Sequence, residues 1–198
     1  MSFVHQFIQE QCEILQALDQ SKLEEMAVLL STLKKNKGRL FILGVGGSAA
    51  NCSHAVNDFR KIVGIEAYAP TDNVAEITAR TNDEGWASVF VEWLKVSCLN
   101  EKDIILILSV GGGSIEKNIS YNLIKAIDYG LECGAKILGI LGRDGGYTAK
   151  NSTCSVIIPT VNPENITPHA ESLQAVISHL LVSHPLLKHR QTMWESAA

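Results

Sequence analysis

The chain has 198 residues, of which 46% are hydrophobic and 19% charged, enough apolar material for one full core. A formal charge of −4 lacks the basic excess of a nucleic-acid surface, so no direct nucleic-acid contact is expected. Five cysteines (Cys12, Cys52, Cys98, Cys133, Cys154) are odd in number and widely spaced, which reads as reduced core thiols, and MSFVHQFIQEQ has neither the basic start nor the apolar run of a signal peptide. The expected location is cytoplasmic, with no membrane span.

From Phe3 to Leu33 apolar residues recur at helical spacing: Val4, Phe7, Ile8, Cys12, Leu15 and Leu18, then Leu23, Met26, Ala27, Leu30 and Leu33. This is two helices or one bent helix, with Ser21 and Glu24 as a capping box for a fresh start. The run Lys34, Lys35, Asn36, Lys37, Gly38 fits a helix C-terminus. A stripe this long packs on its own domain or on a partner.

Leu40 to Leu43 form a short apolar run suited to a strand buried on both faces. Gly44, Gly46 and Gly47 then turn the chain, and Ser48 N-caps a helix reaching about Val63. Free N–H groups at such a start favour an anion, although glycines there can also serve the turn alone. Neither the dinucleotide fingerprint nor the phosphate-loop lysine is present, so no nucleotide is expected. His54 and Asp58 lie four residues apart on one face of this helix, as a functional pair or as a core histidine and a surface charge beside Arg60 and Lys61.

A strand over Ile65 to Ala69 stops at Pro70, a helix capped by Thr71 or Asp72 runs through Ala79, and Thr81 to Trp86 form a loop holding Asn82 and Asp83. A helix over Ala87 to Leu99 follows, in which Trp86 and Trp93 pack in a core or interface. Asp103 to Ser114, DIILILSVGGGS, then repeats the strand, glycines and serine, with a strand over Ile104 to Leu108 and a helix from Ser114 to about Cys133. Hydroxyls at Ser48, Ser109 and Ser114, with backbone N–H groups, can surround a phosphate without a lysine. Further strands are expected at Ile137 to Leu141, turned by Gly142 to Gly146, and at Val156 to Ile158, ended by Pro159. Strands alternating with helices predict a parallel sheet covered on both sides, with ligands beyond the strands' carboxyl ends, where both serine-glycine turns fall. The last helix, Ala170 to Ser183, buries Leu173, Val176, Ile177, Leu180 and Leu181, and carries Glu171 and Gln174 one turn apart.

The pairing of GVGGSAANCSH with SVGGGS, followed by ILGILGRDGG, resembles the sugar isomerase (SIS) domain family from about Gly38 to His184, and within it the phosphoheptose isomerases. The resemblance implies a three-layer doubly wound α/β fold: residues 1–37 as helices that build a homotetramer, residues 38–184 as the core, and residues 185–198 as a tail, all in one domain. It implies a phosphorylated sugar as partner, with sedoheptulose 7-phosphate and a heptose 7-phosphate interconverted through an enediol. The substrate-binding set would be Gly46, Gly47, Ser48, Asn82, Asp83, Ser109, Gly111, Gly112, Ser114 and Gln174, although Val110 and Gly111 stand where hydroxyl residues are usual. The family's first catalytic pair falls on Asp58 and His54. Its final-helix glutamine falls on Glu171 and its histidine on Gln174, which cannot transfer a proton. Proton transfer then rests on Asp58 and Glu171, or on His169 reaching the same space. A zinc-type ligand set would be His54, Asp58, Glu171 and Gln174. The alternative within the same family is a non-catalytic protein that binds a sugar phosphate or a replication initiator.

Overall fold

The computed structural model describes residues 2–197 and contains one five-stranded sheet, all parallel, in the order β2-β1-β3-β4-β5. The strands are β1 (Leu40–Leu43), β2 (Ala67–Tyr68), β3 (Ile104–Ser109), β4 (Lys136–Leu141) and β5 (Cys154–Ile157). The helices are α1 (Phe3–Ala17), α2 (Gln20–Lys35), α3 (Gly47–Asp58), α4 (Val74–Asp83), α5 (Val89–Val96), α6 (Tyr121–Glu132), α7 (Gly146–Asn151), α8 (Ile166–Ser183) and α9 (Met193–Ser196). One π-helical turn, Phe59–Val63, continues α3.

Alternation along the strands divides the core in two. Leu40, Ile42, Leu106, Leu108, Leu138 and Ile140 face α2, α3 and α8. Phe41, Leu43, Ile105, Ile107, Ile137 and Leu141 face α5 and α6. This is the three-layer α/β architecture that the strand and helix pattern predicts.

Several local expectations change. Asp19, rather than Ser21, caps α2, its carboxylate accepting from the N–H groups of Ser21 and Lys22. Gly46 caps α3, at φ +65°, which leaves Ser48 as the buried second residue of the helix. α6 begins at Tyr121 rather than Ser114, because Gly112 and Gly113 take positive φ and residues 114 to 119 close a small loop through paired Ser114 and Ile119 backbone bonds. Asn82 and Asp83 sit in the last turn of α4, not in a loop. α8 starts at Ile166, and on it Val176 and Leu180 are exposed while Gln174 and Ser178 are buried with Leu173, Ile177 and Leu181. All five cysteines are free, but Cys12 and Cys98 are exposed instead of core residues.

The N-terminal stripe splits by helix. On α2, Leu23, Met26, Ala27, Leu30 and Leu33 are buried in the chain's own core, whereas on α1 Phe3 (70% exposed), Val4, Ile8 and Leu15 stand out in solvent. Ile14 anchors α1 in the apolar core, and a polar cluster holds it as well. Glu10 Oε1 accepts from Gln6 and Asn162, and Oε2 accepts from Asn165 at 2.9 Å and lies 2.7 Å from His169 Nε2. Gln11 Nε2 lies 2.7 Å from His169 Nδ1, and the Phe7 ring packs on the imidazole at 4.5 Å. With Gln11 donating to Nδ1, the Nε2–H tautomer donates to Glu10.

Hydrogen bonds from Asn165, His169, Asn162 and Gln6 hold the Glu10 carboxyl down to about 2 from an ordinary 4.5. A depressed carboxyl contributes stability that is complete above its unfolded value and disappears as pH falls through the folded one. The melting-temperature advantage of the parent over Glu10→Gln should therefore be constant above about pH 5 and shrink between about pH 4.5 and 2. A gap independent of pH across that interval would show that the ionised carboxylate is not what anchors α1.

Candidate functional site

The site is organised by α3 and α8, which lie side by side and run in the same direction. Contacts rise in step along both. The α carbon of Gly47 meets the Glu171 carboxylate so closely that a Cβ there would lie 2.4 Å from Oε2. Asn51 Nδ2 donates to the Glu171 carbonyl at 2.9 Å and to Gln174 Oε1 at 3.1 Å. Farther on, His54 Nε2 lies 2.9 Å from His179 Nε2.

Asp58 completes a trio at that end. Its Oδ2 is 3.2 Å from His54 Nε2 and 3.4 Å from His179 Nε2, while Oδ1 accepts from Asn57 Nδ2 at 3.0 Å. Asp58 is buried and both imidazoles are open to solvent. Three donor atoms bound to one cation at about 2.1 Å in tetrahedral geometry are separated by about 3.4 Å. The observed edges of 2.9, 3.2 and 3.4 Å fit that face, with further coordination positions open to solvent. The group fits a divalent cation of the borderline class, and Asn57 orients the carboxylate as an outer-shell partner does.

The second part of the site is a cavity of about 900 Å³ at the carboxyl ends of β1, β3 and β4, lined by Ser48, Ser109, Gly111, Ser114, Arg143 and Tyr147 among others. Ser48 and Ser109 are buried in its wall. Ser109 Oγ accepts from the Gly112 N–H at 3.0 Å, and Ser114 Oγ accepts from the Lys117 N–H at 3.3 Å, so each hydroxyl hydrogen remains free to donate. Gly46, Gly47 and Gly112 shape the turns without lining the cavity. Gly112, at φ +68°, is closest: a Cβ there would overlap the Gly145 carbonyl oxygen at 1.8 Å.

The structure thus brings together His54 and Asp58, and separately Ser48, Ser109, Gly111 and Ser114. It does not bring Gln174 or His169 to the trio of His54, Asp58 and His179. Gln174 is fully buried, its oxygen committed to Asn51 and its Nε2 without a partner among the described residues. His169 is committed to Glu10 and Gln11 on α1. Glu171 lies near the glycine turn and outside the trio. Asn82 donates to Asp83 at 2.7 Å, and neither residue lines the cavity. The residue missed from sequence is His179, five positions beyond Gln174. The sequence alone does not single it out, since helical spacing gives Glu171, Gln174 and Ser178 as the polar side of this helix.

A family model described as the SIS domain matches residues 4–142. The chain is 30% identical over 155 residues to the phosphoheptose isomerase of Helicobacter pylori (strain HPAG1), covering 74% of this chain and 73% of that one. It is 27% identical over 188 residues to the phosphoheptose isomerase of Aliarcobacter butzleri (strain RM4018), covering 91% and 93%. The fold is that of phosphoheptose isomerase GmhA from Neisseria gonorrhoeae, with a TM-score of 0.76 at 24% identity over 90% of this chain and 92% of that one.

Two glycines separate the roles of conformation and close approach in these turns. Gly46→Ala meets nothing within 4 Å and should cost only the backbone penalty of φ +65°, ψ −130°, a region that residues other than glycine rarely enter, about 1–3 kcal/mol. Gly112→Ala adds overlap with a backbone oxygen and should cost about 1–3 kcal/mol more by urea unfolding. Equal losses in the two variants would show that the approach of the second loop is not what position 112 requires.

Proposed function

The chain belongs to the SIS domain family, and from that premise we propose that it is an aldose–ketose isomerase that interconverts sedoheptulose 7-phosphate and a heptose 7-phosphate. The observation that carries this reading is the spacing of the two half-sites along α3. Ser48, in the phosphate-type cradle, and His54, in the trio, are six helical residues apart, about 9 Å. A seven-carbon chain with its terminal phosphate ester spans on the order of 9 Å from the phosphorus to C2. The phosphate then rests against Ser48, Ser109, Ser114 and the N–H groups of the two turns, with C1 and C2 beside the trio.

The reaction moves a proton between C1 and C2 through an enediol. His54, Asp58 and His179 would hold a divalent cation, zinc by the chemistry of the donor set, which supplies polarisation of the C2 carbonyl and stabilisation of the enediolate oxygens. Asp58, beside C1 and C2 in this placement, is the carboxylate available to take and return the proton, whereas Glu171, expected to share that work, lies at the glycine turn by the phosphate end. His179 stands in for the histidine that the sequence reading sought at Gln174. Asn51 fixes Glu171 and Gln174 in register, which places Gln174 in support of the site instead of in contact with substrate.

The exposed apolar residues of α1, with Val176 and Leu180 on either side of His179, support a homo-oligomer, most simply a tetramer, in which a neighbouring copy closes the open side of the trio. Among the described residues no helix is long and apolar enough to cross a membrane.

The purified protein should turn over sedoheptulose 7-phosphate, and His179→Ala and Asp58→Asn should each lower kcat by about 10²–10⁴-fold. His179→Ala should also abolish stoichiometric zinc binding. Tight binding of the sugar phosphate without turnover by the zinc-loaded parent would replace the isomerase reading with that of a sugar-phosphate-binding protein. Light scattering should give a mass above that of the monomer, and Ile8→Glu should lower it. A monomer at all concentrations would remove the proposed assembly.

A further inference from the structure

The cavity is built by two loops locked to each other. Tyr147 N–H donates to the Gly113 carbonyl at 2.9 Å, Thr148 N–H and Oγ1 both donate to the Gly112 carbonyl at 2.9 and 2.7 Å, and Gly142 N–H donates to the Ser109 carbonyl at 3.1 Å. Glycines make the approach: a Cβ at Gly146 would lie 2.2 Å from the Gly111 carbonyl oxygen. Arg143 sits at the head of the second loop with φ +54°, a left-handed conformation that costs a non-glycine residue about 1 kcal/mol or more. Glycine would hold this backbone with less strain, so the arginine side chain needs its own explanation.

Its surroundings supply one. Arg39, Arg60 and Arg80 each donate to acceptors within the chain. Among the described residues no hydrogen bond or ion pair engages the Arg143 guanidinium. Its stem instead crosses Gly111, with Cδ 3.5 Å from where a Cβ at Gly111 would stand, which carries the free donors over the serine-glycine turn. The other charged residues lining the cavity are Lys117 and Lys150 against Glu116 and Asp144, so Arg143 provides the net positive charge of an otherwise neutral wall. Ser48, Ser109 and Ser114 offer only neutral donors to a ligand that carries close to two negative charges.

We propose that Arg143 is a substrate-binding residue that closes over the serine-glycine turn and grips the phosphate of the sugar phosphate through charge-assisted hydrogen bonds. This rests on the reading of that turn as the phosphate site. The geometry suits it: a planar fork of donors matches phosphate oxygens in pairs, and loops zipped to one another fix the backbone from which the exposed side chain reaches.

The test is calorimetric titration of the zinc-loaded parent, Arg143→Gly, Arg143→Lys and Ser48→Ala with inorganic phosphate and with sedoheptulose 7-phosphate. Arg143→Gly relieves the left-handed strain, so its melting temperature should equal or exceed that of the parent. Its Kd for both ligands should nonetheless rise by about 10–100-fold, and its KM should rise by more than kcat falls. Arg143→Lys should recover part of the loss, because it keeps the charge and gives up the fork. The affinity of Arg143→Gly should also depend less on salt. Phosphate affinity within twofold of the parent in Arg143→Gly overturns the proposal, and if Ser48→Ala is weakened in the same series the turn survives as the phosphate site without the arginine. A parent that binds no phosphate overturns both. A parent that binds phosphate and turns nothing over overturns only the isomerase reading, and the ratio between parent and Arg143→Gly still decides the role of the arginine.

Discussion

The absence of a side chain at Gly47 is the constraint on which the site depends. α8 brings the Glu171 carboxylate to within van der Waals distance of the Gly47 backbone, in the space that any larger residue would fill. From that contact the two helices advance in step, and Asn51 fixes the register by donating to both the Glu171 carbonyl and the Gln174 side chain. Such bonds, between groups largely withdrawn from water, contribute about 1 kcal/mol each when made and cost more than that when one partner is left alone. A slip of α8 by a single residue would swing its side chains by about 100° and break both bonds, and it would carry His179 away from His54 and Asp58. The trio exists because a glycine seven residues earlier lets a neighbouring helix come close.

A comparable device builds the cavity. Parallel strands end at one edge of the sheet, and the loops that leave β3 and β4 lie next to each other because those strands are neighbours. Gly112, Gly145 and Gly146 let the two loops share hydrogen bonds as if they were one element. The result is a rigid wall beneath which the hydroxyls of Ser109 and Ser114 have acceptor duties already assigned and donor duties open. Two packing events, helix against turn and loop against loop, therefore place the two halves of the site independently of each other.

This explains what could be read from the sequence. The strand runs Leu40–Leu43, Ile104–Ser109 and Lys136–Leu141 are apolar throughout because both faces are covered, and glycines mark where each chain turns at the sheet edge. Ser48 and Ser109 follow from those turns by local chain geometry. His179 does not: its meeting with His54 depends on the register between two helices more than 100 residues apart in the chain, and the polarity of α8 alone places Glu171, Gln174 and Ser178 ahead of it. His169 was misplaced for the same reason, since nothing near Pro168 signals that Glu10 waits on α1. The helix expected from Ser114 failed on a local count, because positive φ at Asn118 and Ser120 closes a loop where apolar spacing suggested continuity. On α1 the helical period is real, but the face it describes is turned to solvent, and a periodic stripe carries no information about what covers it.

The separation between the two halves also has an electrostatic consequence. Asp58 lies about 15 Å along α3 from Ser48, and unit charges that far apart interact by only about 1 kcal/mol at an effective dielectric constant of 20. The carboxylate that completes the trio thus weakens anion binding at the cradle far less than a carboxylate beside it would. Glu171 is different, because its carboxylate touches Gly47, the residue before Ser48. At about 5 Å the same estimate gives roughly 3 kcal/mol of repulsion toward a phosphate at the turn. Hydroxyls and backbone N–H groups carry dipoles but no net charge, and they cannot by themselves offset a carboxylate held so near. An arginine whose stem crosses Gly111 from the opposite loop places a compensating charge on the cavity side of the phosphate. The strain in its backbone and the absence of a partner for its guanidinium among the described residues fit a charge set there to offset Glu171.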